Sequence, residues 1–335
     1  MAIDTRPGLD SRRLVALMQG VIARLGLDLR GRTVLTEAAT GAYAVTPVLA
    51  ALAGAQVWAL GNASPHASAS EVAAATLQLA RSAGVVHRVD IVRDTSPDLL
   101  SRVDIVTNSG QVRPIDAAMI SALRPSCVVP LMYESWEYRS SDLDLEACRD
   151  RGMLVAGTNE RHPDVDVFSF LGPLALHHLH SAGLAVRGCR IIVLSDNEFA
   201  PFILAGLECC GADVVLARRL TPEVLDPVPD AVVVAMTPRA QPVLTSAEAR
   251  MLAEGAPGTV IAQFWGDIDR ARLSQLQVPI WPPRAPAAGH MAVLLSDIGP
   301  DAVVRLQAAG LKVGEVLARG LDKASDSERS LVQLM

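Results

Sequence analysis

The sequence predicts an α/β protein built from two doubly wound parallel sheets, and three observations carry that prediction. Short apolar runs alternate with helix-like segments, the order that a parallel sheet with crossover helices requires. The runs are apolar throughout, as strands covered on both faces are, and 50% of the residues are hydrophobic with a mean hydropathy of +0.29. Each run also ends abruptly in polar residues, and ligands of such sheets bind outside the carboxyl ends of the strands. A chain of 335 residues is long enough for two domains of roughly 100–200 residues each. Aromatics are only 4%, so the cores are expected to be Ala, Val and Leu with close helix packing.

The stretch 103–160 organises the first half. Apolar runs at 103–106, 127–132 and 153–156 end in Thr107-Asn108-Ser109-Gly110, in Tyr133-Glu134 and in Gly157-Thr158-Asn159-Glu160. Helices are expected between them, at 116–123 and 144–151. Before this stretch, residues 9–26 read as a capped amphipathic helix, with Asp10 or Ser11 as N-cap and Gly26 near its end. Strands follow at 33–36, 56–60 and 88–92, with helices at 48–53, 71–83 and 97–100. The first turn, Glu37 to Pro47, offers Ala39, Gly41 and Ala44 where a dinucleotide fingerprint has three glycines, so the middle glycine alone is present. A phosphate or carboxylate approaching Gly41 would meet a helix start. The second strand is followed by Asn62 and Ser64, either able to bond a ribose, with no carboxylate to repel a 2′-phosphate.

The second half repeats the pattern. A long helix over 167–180 leads to strands at 190–194, 213–216, 231–235, 259–263 and 279–281, with a helix at 199–210. These strands end in Ser195-Asp196-Asn197-Glu198, Met236-Thr237 and Phe264-Trp265-Gly266-Asp267. The first of these turns has no glycine, and Asp196 would repel a pyrophosphate. A proline-rich segment then introduces His290, helices over 291–295 and 300–308, and a polar tail. The expected plan is an N-terminal helix (1–28), a Rossmann-like domain (29–162), a connecting helix (163–186) and a second Rossmann-like domain (187–290). A helical return (291–320) and a mobile tail (321–335), whose last residues 331–335 are open to docking, complete it, with an interdomain cleft between the two sheets.

Candidate residues follow from the strand tips. Glu37, Thr40, Gly41, Tyr43, Asn62 and Asn108 are placed to hold a cofactor. Arg113 suits a substrate carboxylate, for which its fork geometry is matched, or it braces a loop through an ion pair. Trp136, Asn159, Glu160, Asp196, Asn197 and Trp265 are further substrate contacts. Tyr133 to Arg139 gathers two acids, an arginine and three aromatics into a pocket wall or an interface. His290, His162 and Glu134 are the acid–base candidates, His162 alternatively capping a helix. His177, His178 and His180 imitate a metal cluster, but only the first and last share a helical face, and no metal is expected.

Net charge is −6 with no basic block, which argues against nucleic acid. No apolar run reaches membrane-spanning length, and the first residues lack a signal-peptide core. Five scattered cysteines without CxxC spacing point to buried thiols in a reducing, cytoplasmic setting. A homodimer is expected, since the helix at 9–26 needs cover.

The stretches VDIVTNSG, IDAAMISALRP and DLDLEACRDRGMLVAGTNE resemble the substrate domain of the NAD-dependent D-2-hydroxyacid dehydrogenase (formate/glycerate dehydrogenase) superfamily. LAVRGCRIIVLSDNEFAPFILAGLECCGADVV stands where that family starts its cofactor domain, and PGTVIAQFWGDIDRARLSQL with WPPRAPAAGHM is similar in placement to its last strands. The resemblance implies that His290 is the catalytic histidine, with Arg239 nearest to the family's arginine and Asp267 nearest to its acid. Ser195–Ala200 occupies the place of the glycine fingerprint with none of its glycines. Residues 31–60 also resemble the opening of a class I methyltransferase. The function expected is therefore an NAD- or NADP-dependent oxidoreductase acting on a small, polar, carboxylated substrate. Its rivals are an S-adenosylmethionine-dependent transferase, a hydrolase or a lyase on the same fold, and a degenerate ligand-binding or scaffold protein.

Overall fold

The structure, a computed structural model, describes residues 6–63 and 67–335; Ser64, one of the two ribose candidates, lies outside them. The chain divides into two compact units, Met1–Val167 with Gly299–Met335, and Phe168–Ile298. Both are parallel-sheet α/β units, as the alternation of apolar runs and helices predicts.

Unit 1 opens with α1 (Ser11–Leu25). Asp10 caps it by accepting from the Arg12 and Arg13 N–H groups, and Gly26 ends it in the left-handed conformation. Leu14, Met18 and Val21 form its buried stripe, which packs on the helices Val45–Leu52 and Asp301–Arg319 of the same unit. The cover that suggested a second copy is thus supplied from within the unit. The chain then runs through β1 (Thr33–Glu37), α2 (Val45–Leu52), β2 (Gln56–Leu60), α3 (Ala69–Ser82), β3 (Val89–Val92) and α4 (Pro97–Leu100). It continues with β4 (Ile105–Val106), α5 (Ala117–Ala122), β5 (Val129–Pro130), α6 (Leu145–Asp150) and β6 (Val155–Thr158). Asp116 and Asp144 cap α5 and α6.

Strands pair in the order β3-β2-β1-β4, and a parallel bridge from Ile105 to Val128 carries the sheet on to β5 and β6. The direction of winding therefore reverses between β1 and β4.

Unit 2 comprises α7 (Leu171–Ser181), β7 (Arg190–Ser195), α8 (Ala200–Cys209), β8 (Asp213–Ala217) and β9 (Ala231–Ala235). After these come α9 (Ser246–Gly255), β10 (Val260–Trp265), α10 (Arg270–Gln275) and β11 (Ile280–Trp281). Its five parallel strands lie in the order β11-β10-β9-β7-β8, so winding reverses between β7 and β9. Alternate residues of β7 face opposite cores: Ile191 and Val193 pack with Phe264 and α7, Ile192 and Leu194 with Val232, Val234 and Leu252. Helices α7 and α8 meet at two glycines, where a Cβ on Gly172 would lie 2.8 Å from the Gly206 Cα.

Three expectations need correction. Residues 291–295 are not a helix; the Ala292 N–H pairs with the Phe264 carbonyl at 2.9 Å, and only a short 3-10 turn follows at Leu295–Ile298. The helix expected at 300–308 is α11 (Asp301–Arg319), nineteen residues long. It lies across β4, β5 and β6, and Gly314 permits the approach: a Cβ there would stand 2.9 Å from Ile105 Cγ2. The tail expected to be mobile forms α12 (Asp326–Leu331) and β12 (Val332–Leu334), which pairs antiparallel with β6. A Ser325–Glu328 capping box starts α12, and Lys312 and Arg319 of α11 clasp Glu328 at 2.9 and 2.7 Å.

Among the described residues no helix is long and apolar enough to cross a membrane. All five cysteines are free thiols, and burial pushes Cys127 and Cys148 up to about 12 and 11, away from nucleophilic use.

Candidate functional site

In unit 1 the winding reverses between β1 and β4, and in such sheets ligands bind outside the carboxyl ends of the strands at that point. Glu37 ends β1 and Thr107-Asn108-Ser109-Gly110 follows β4. The Glu37 carboxylate lies against Gly110, where any Cβ would overlap it, and Gly110 has φ +41, so glycine is required there twice over. Burial raises the Glu37 carboxyl to about 7, although the Arg113 guanidinium and the Gln111 N–H oppose that rise. A carboxyl tuned in this way exchanges its proton near neutrality. Behind it, the hydroxyls of Thr36, Thr107 and Ser109 form a buried trio: Thr107 Oγ1 lies 2.8 Å from each of the other two.

Asn108 cross-links β4 to β5. Its Oδ1 accepts from the Met132 N–H at 2.9 Å and its Nδ2 donates to the Tyr133 hydroxyl at 2.7 Å. Burial, then the neighbouring Asp142, pushes Tyr133 up to about 12, so its hydroxyl keeps a proton to offer. Arg113 donates to Asp142 at 2.9 Å, and Arg139 stands 3.8 Å from the same carboxylate. Arg113 thus makes the loop-bracing ion pair that its sequence context allowed.

The turn after β1 has Gly41 at φ +62 with open space where a Cβ would stand. A 3-10 turn from Gly41 to Ala44, containing Tyr43, leads into α2, with Thr40 extended just before it. The Ala39 N–H is taken by Thr76 Oγ1 at 3.2 Å. Asn62 is exposed, and its backbone is bridged on both sides by the Gln111 side chain, at 2.7 and 2.9 Å.

A second group of acids lies at the tips of β5 and β6. Glu134 is wholly buried, yet all its partners are donors: the Glu160 N–H at 3.0 Å, Trp136 Nε1 at 2.9 Å and Gln333 Nε2 at 2.9 Å. Its two oxygens are therefore fixed in place by three donors from separate parts of the chain. Glu160 is 7% exposed, and burial, then Glu137 and Glu134, raises its carboxyl well above the ordinary range. Glu137 is pushed up to about 7 by burial, with Arg139 opposing and Glu134 adding to the rise. Asn159 is used structurally, its side chain donating to the Ser330 carbonyl at 2.9 Å. His162 is too: Nδ1 accepts from the Asp164 N–H and Nε2 faces Ser327, both at 3.2 Å. It fastens α12 rather than facing solvent.

In unit 2 the tips are braced by their own side chains. Asp196 accepts from the Thr237 N–H at 2.9 Å and pairs with Arg239. Burial pushes its carboxyl up, but these donors outweigh it and hold the group below the usual range. Asn197 donates to the Ala235 carbonyl at 2.9 Å and accepts from the Phe199 N–H at 3.1 Å. Trp265 is buried, with its indole N–H on the Gly289 carbonyl at 3.2 Å. Asp267 accepts from the Gly289 N–H at 3.1 Å, and His290, next in the chain, is exposed.

The structure thus gathers Glu37, Asn108, Arg113, Glu134 and Glu160 along one sheet edge, and places Asp196, Asn197, Trp265 and His290 in unit 2. Sequence reasoning assigned no site role to Asp142 or Gln333, and took Arg139 only as the arginine of the Tyr133–Arg139 stretch. Asp142 carries no motif, and Gln333 meets Glu134 across 199 positions, a separation for which the sequence has no signal. Among the described residues no group of three or more His, Cys, Asp or Glu is placed to hold a metal ion.

No family model matches the chain, and no curated protein does. Solved structures do. A dipicolinate synthase polypeptide from Bacillus halodurans is 12% identical, with 89% of this chain and 100% of that chain covered at a TM-score of 0.55. Its counterpart in the Bacillus subtilis dipicolinate synthase is 11% identical, with 89% and 98% covered at 0.54. NAD-dependent formate dehydrogenase from Staphylococcus aureus, from the family the sequence resembles, also matches: 12% identity, 90% and 98% covered, TM-score 0.44. At these identities the likeness is one of fold.

Proposed function

We propose that this chain is an NAD(P)-dependent oxidoreductase of small carboxylated substrates, working at the carboxyl edge of the unit 1 sheet. The carrying observation is the β1/β4 reversal, where the open, positive-φ Gly41 accompanies Glu37, a carboxyl tuned close to neutrality. The shared fold does not decide the chemistry.

A diphosphate needs an approach clear of Cβ atoms and of fixed negative charge. Gly41 supplies the first, and the protonated form of Glu37 supplies the second. The β7/β9 reversal fits neither requirement, having no glycine and a carboxylate at Asp196. Glu37, Thr40, Gly41, Tyr43, Asn62 and Asn108 would hold the dinucleotide. Asn62, in place of an acid, leaves NAD and NADP both admissible. When bound, the nicotinamide would supply or accept hydride.

The chain's own groups do the rest. Arg113 and Arg139, now shared on Asp142, hold the substrate carboxylate by exchanging one carboxylate partner for another. The Tyr133 hydroxyl, positioned by Asn108, donates to the substrate's reacting oxygen. Glu37 exchanges its proton with that locus or with water.

The test is titration of the purified protein with NADH and NADPH, followed by nucleotide fluorescence and calorimetry. Binding of either is expected, abolished by Gly41→Val and retained by Asp196→Asn. No response to either nucleotide would sink the reading.

A second reading, a lyase, hydrolase or transferase, is favoured by the proton-holding acids Glu137 and Glu160. Binding of S-adenosylmethionine without any dinucleotide would select the transferase. A homodimer and a cytoplasmic location, for which the free thiols suit a reducing compartment, belong to the same proposal. Sedimentation and fractionation test them.

A further inference from the structure

The carboxyl tip of β2 lies directly beside the turn that follows β1. The Ala38 N–H donates to the Leu60 carbonyl at 2.9 Å, and a Cβ on Gly61 would stand 3.5 Å from that of Ala38. Two side chains from other parts of the sheet hold this tip. Gln111, in the turn after β4, takes both backbone groups of Asn62, accepting from its N–H at 2.7 Å and donating to its carbonyl at 2.9 Å. Arg93, just past the end of β3, donates from Nη1 to the Gly61 carbonyl and, at 3.3 Å, to the Ala69 carbonyl in the first turn of α3.

These bonds leave two groups unspent. The backbone of Asn62 is satisfied, and among the described residues no hydrogen bond engages its exposed side chain. Arg93 is exposed and spends only Nη1; among the described residues no hydrogen bond or ion pair engages its Nε or Nη2. Those two nitrogens share one edge of the planar guanidinium, the edge that matches two oxygens of a phosphate. Most acids of this region are committed elsewhere: Glu71 closes the capping box on Ser68, Asp90 accepts from Gln56 at 2.9 Å and Asp98 pairs with Arg102 at 3.0 Å. Asp94, the residue after Arg93, is exposed.

We propose that Arg93 sets the choice of nucleotide and that the ligand is the 2′-phosphorylated dinucleotide, NADPH or NADP. The inference rests on the preceding reading of the β1/β4 edge as the dinucleotide site, and it decides between two cofactors which that reading leaves open. The Asn62 side chain bonds the adenosine ribose, and the free edge of Arg93 takes the 2′-phosphate through two charge-assisted hydrogen bonds. An acid at the tip of β2 would bond a free 2′-hydroxyl and repel that phosphate; here the acid is replaced by Asn62, and a cation is fixed on the carbonyl of the residue before it. Because Nη1 is already held by two carbonyls, the phosphate-binding edge is oriented before the ligand arrives, which lowers the ordering cost of binding.

The test is calorimetric titration of the whole protein with NADPH and with NADH at one ionic strength. NADPH should bind about tenfold more tightly or better, the scale of hydrogen bonds to a charged group. Arg93→Gln should remove that advantage and leave NADH affinity unchanged. Arg93→Lys should keep part of it, since the charge stays while the fork is lost. Asn62→Asp should reverse the preference without touching either backbone bond of that residue, and it carries the test should Arg93→Gln fail to fold. Equal affinity for the two nucleotides in the wild type overturns the proposal. So does an equal loss of NADH and NADPH affinity in Arg93→Gln, the mark of a residue that only braces the tip. Failure to bind either nucleotide removes the oxidoreductase reading and this inference with it, whereas binding of both without preference removes this inference alone.

Discussion

At the β1/β4 reversal of unit 1, the turn after the first strand carries Gly41 at φ +62 with open space beside it, and the nearby carboxyl of Glu37 is raised to about 7. At the β7/β9 reversal of unit 2, the turn has no glycine, Asp196 is tied to Thr237 and Arg239, and Asn197 is tied to Ala235. The backbone device is the same: at both places the order of winding reverses, the point at which such sheets bind their ligands. Side chains fill one with satisfied hydrogen bonds and leave the other with a carboxyl whose proton is loosely committed. A topological switch point is thus an opportunity for a site, and the local polar groups decide whether it is used.

The comparison can be broken hardest at the glycines. Gly206→Ala should destabilise unit 2 by about 3 kcal/mol, because the added Cβ overlaps the Gly172 backbone and helices must separate. Gly41→Ala meets no atom and should cost only about 1 kcal/mol, from its positive φ. Urea denaturation of the two variants measures the difference, and equal losses would contradict the packing described.

The next effect is pH, with opposite signs in the two units. Glu37 has a folded value of about 7 against 4.5, so the folded state binds the proton more tightly. Its contribution is complete below pH 4.5 and is lost as pH rises to 7. His178 in unit 2 is lowered to about 4 from 6.5, chiefly by burial, with its bond to Gln263 opposing. Its contribution is present above pH 6.5 and is lost as pH falls through 4. Each is on the order of 3 kcal/mol as an upper bound. Amide exchange in β1 and in β7, corrected for intrinsic rates between pH 4 and 8, should move in opposite directions. Glu37→Gln should flatten the unit 1 response, and a persistent slope would show that another group causes it.

Asp196→Ala should cost about 1 kcal/mol, as little as Gly41→Ala, for the released Thr237 N–H and Arg239. Thermal scans measure it, and nucleotide binding should be unchanged. A loss of binding would move the cofactor site to unit 2 and reverse the comparison.

Much of the sheet edge was legible beforehand. Glu37, Asn108, Glu134 and Glu160 follow apolar runs, and strand ends are marked locally by the switch from apolar to hydrogen-bonding residues. Glycine at 110 was visible, but not that its missing Cβ makes room for Glu37. Residues 291–295 misled, because five apolar residues after a proline-rich segment fit a helix and an extended contact equally well. The polar stretch 322–329 misled in the other direction. Its polarity suggested mobility, whereas Lys312 and Arg319, far upstream, hold it by Glu328.

The sequence by itself determined the class of fold, the strands of both units up to Trp281 and the polar ends of β1, β4, β5, β6, β7 and β10, since these depend on hydrophobic periodicity over a few residues. The tertiary structure decided which tips share an edge, which polar groups satisfy one another and which carboxyls keep a proton. Those outcomes depend on burial and on partners as distant as Gln333 is from Glu134, and desolvation and pairing are properties of position in space rather than of neighbours in the chain.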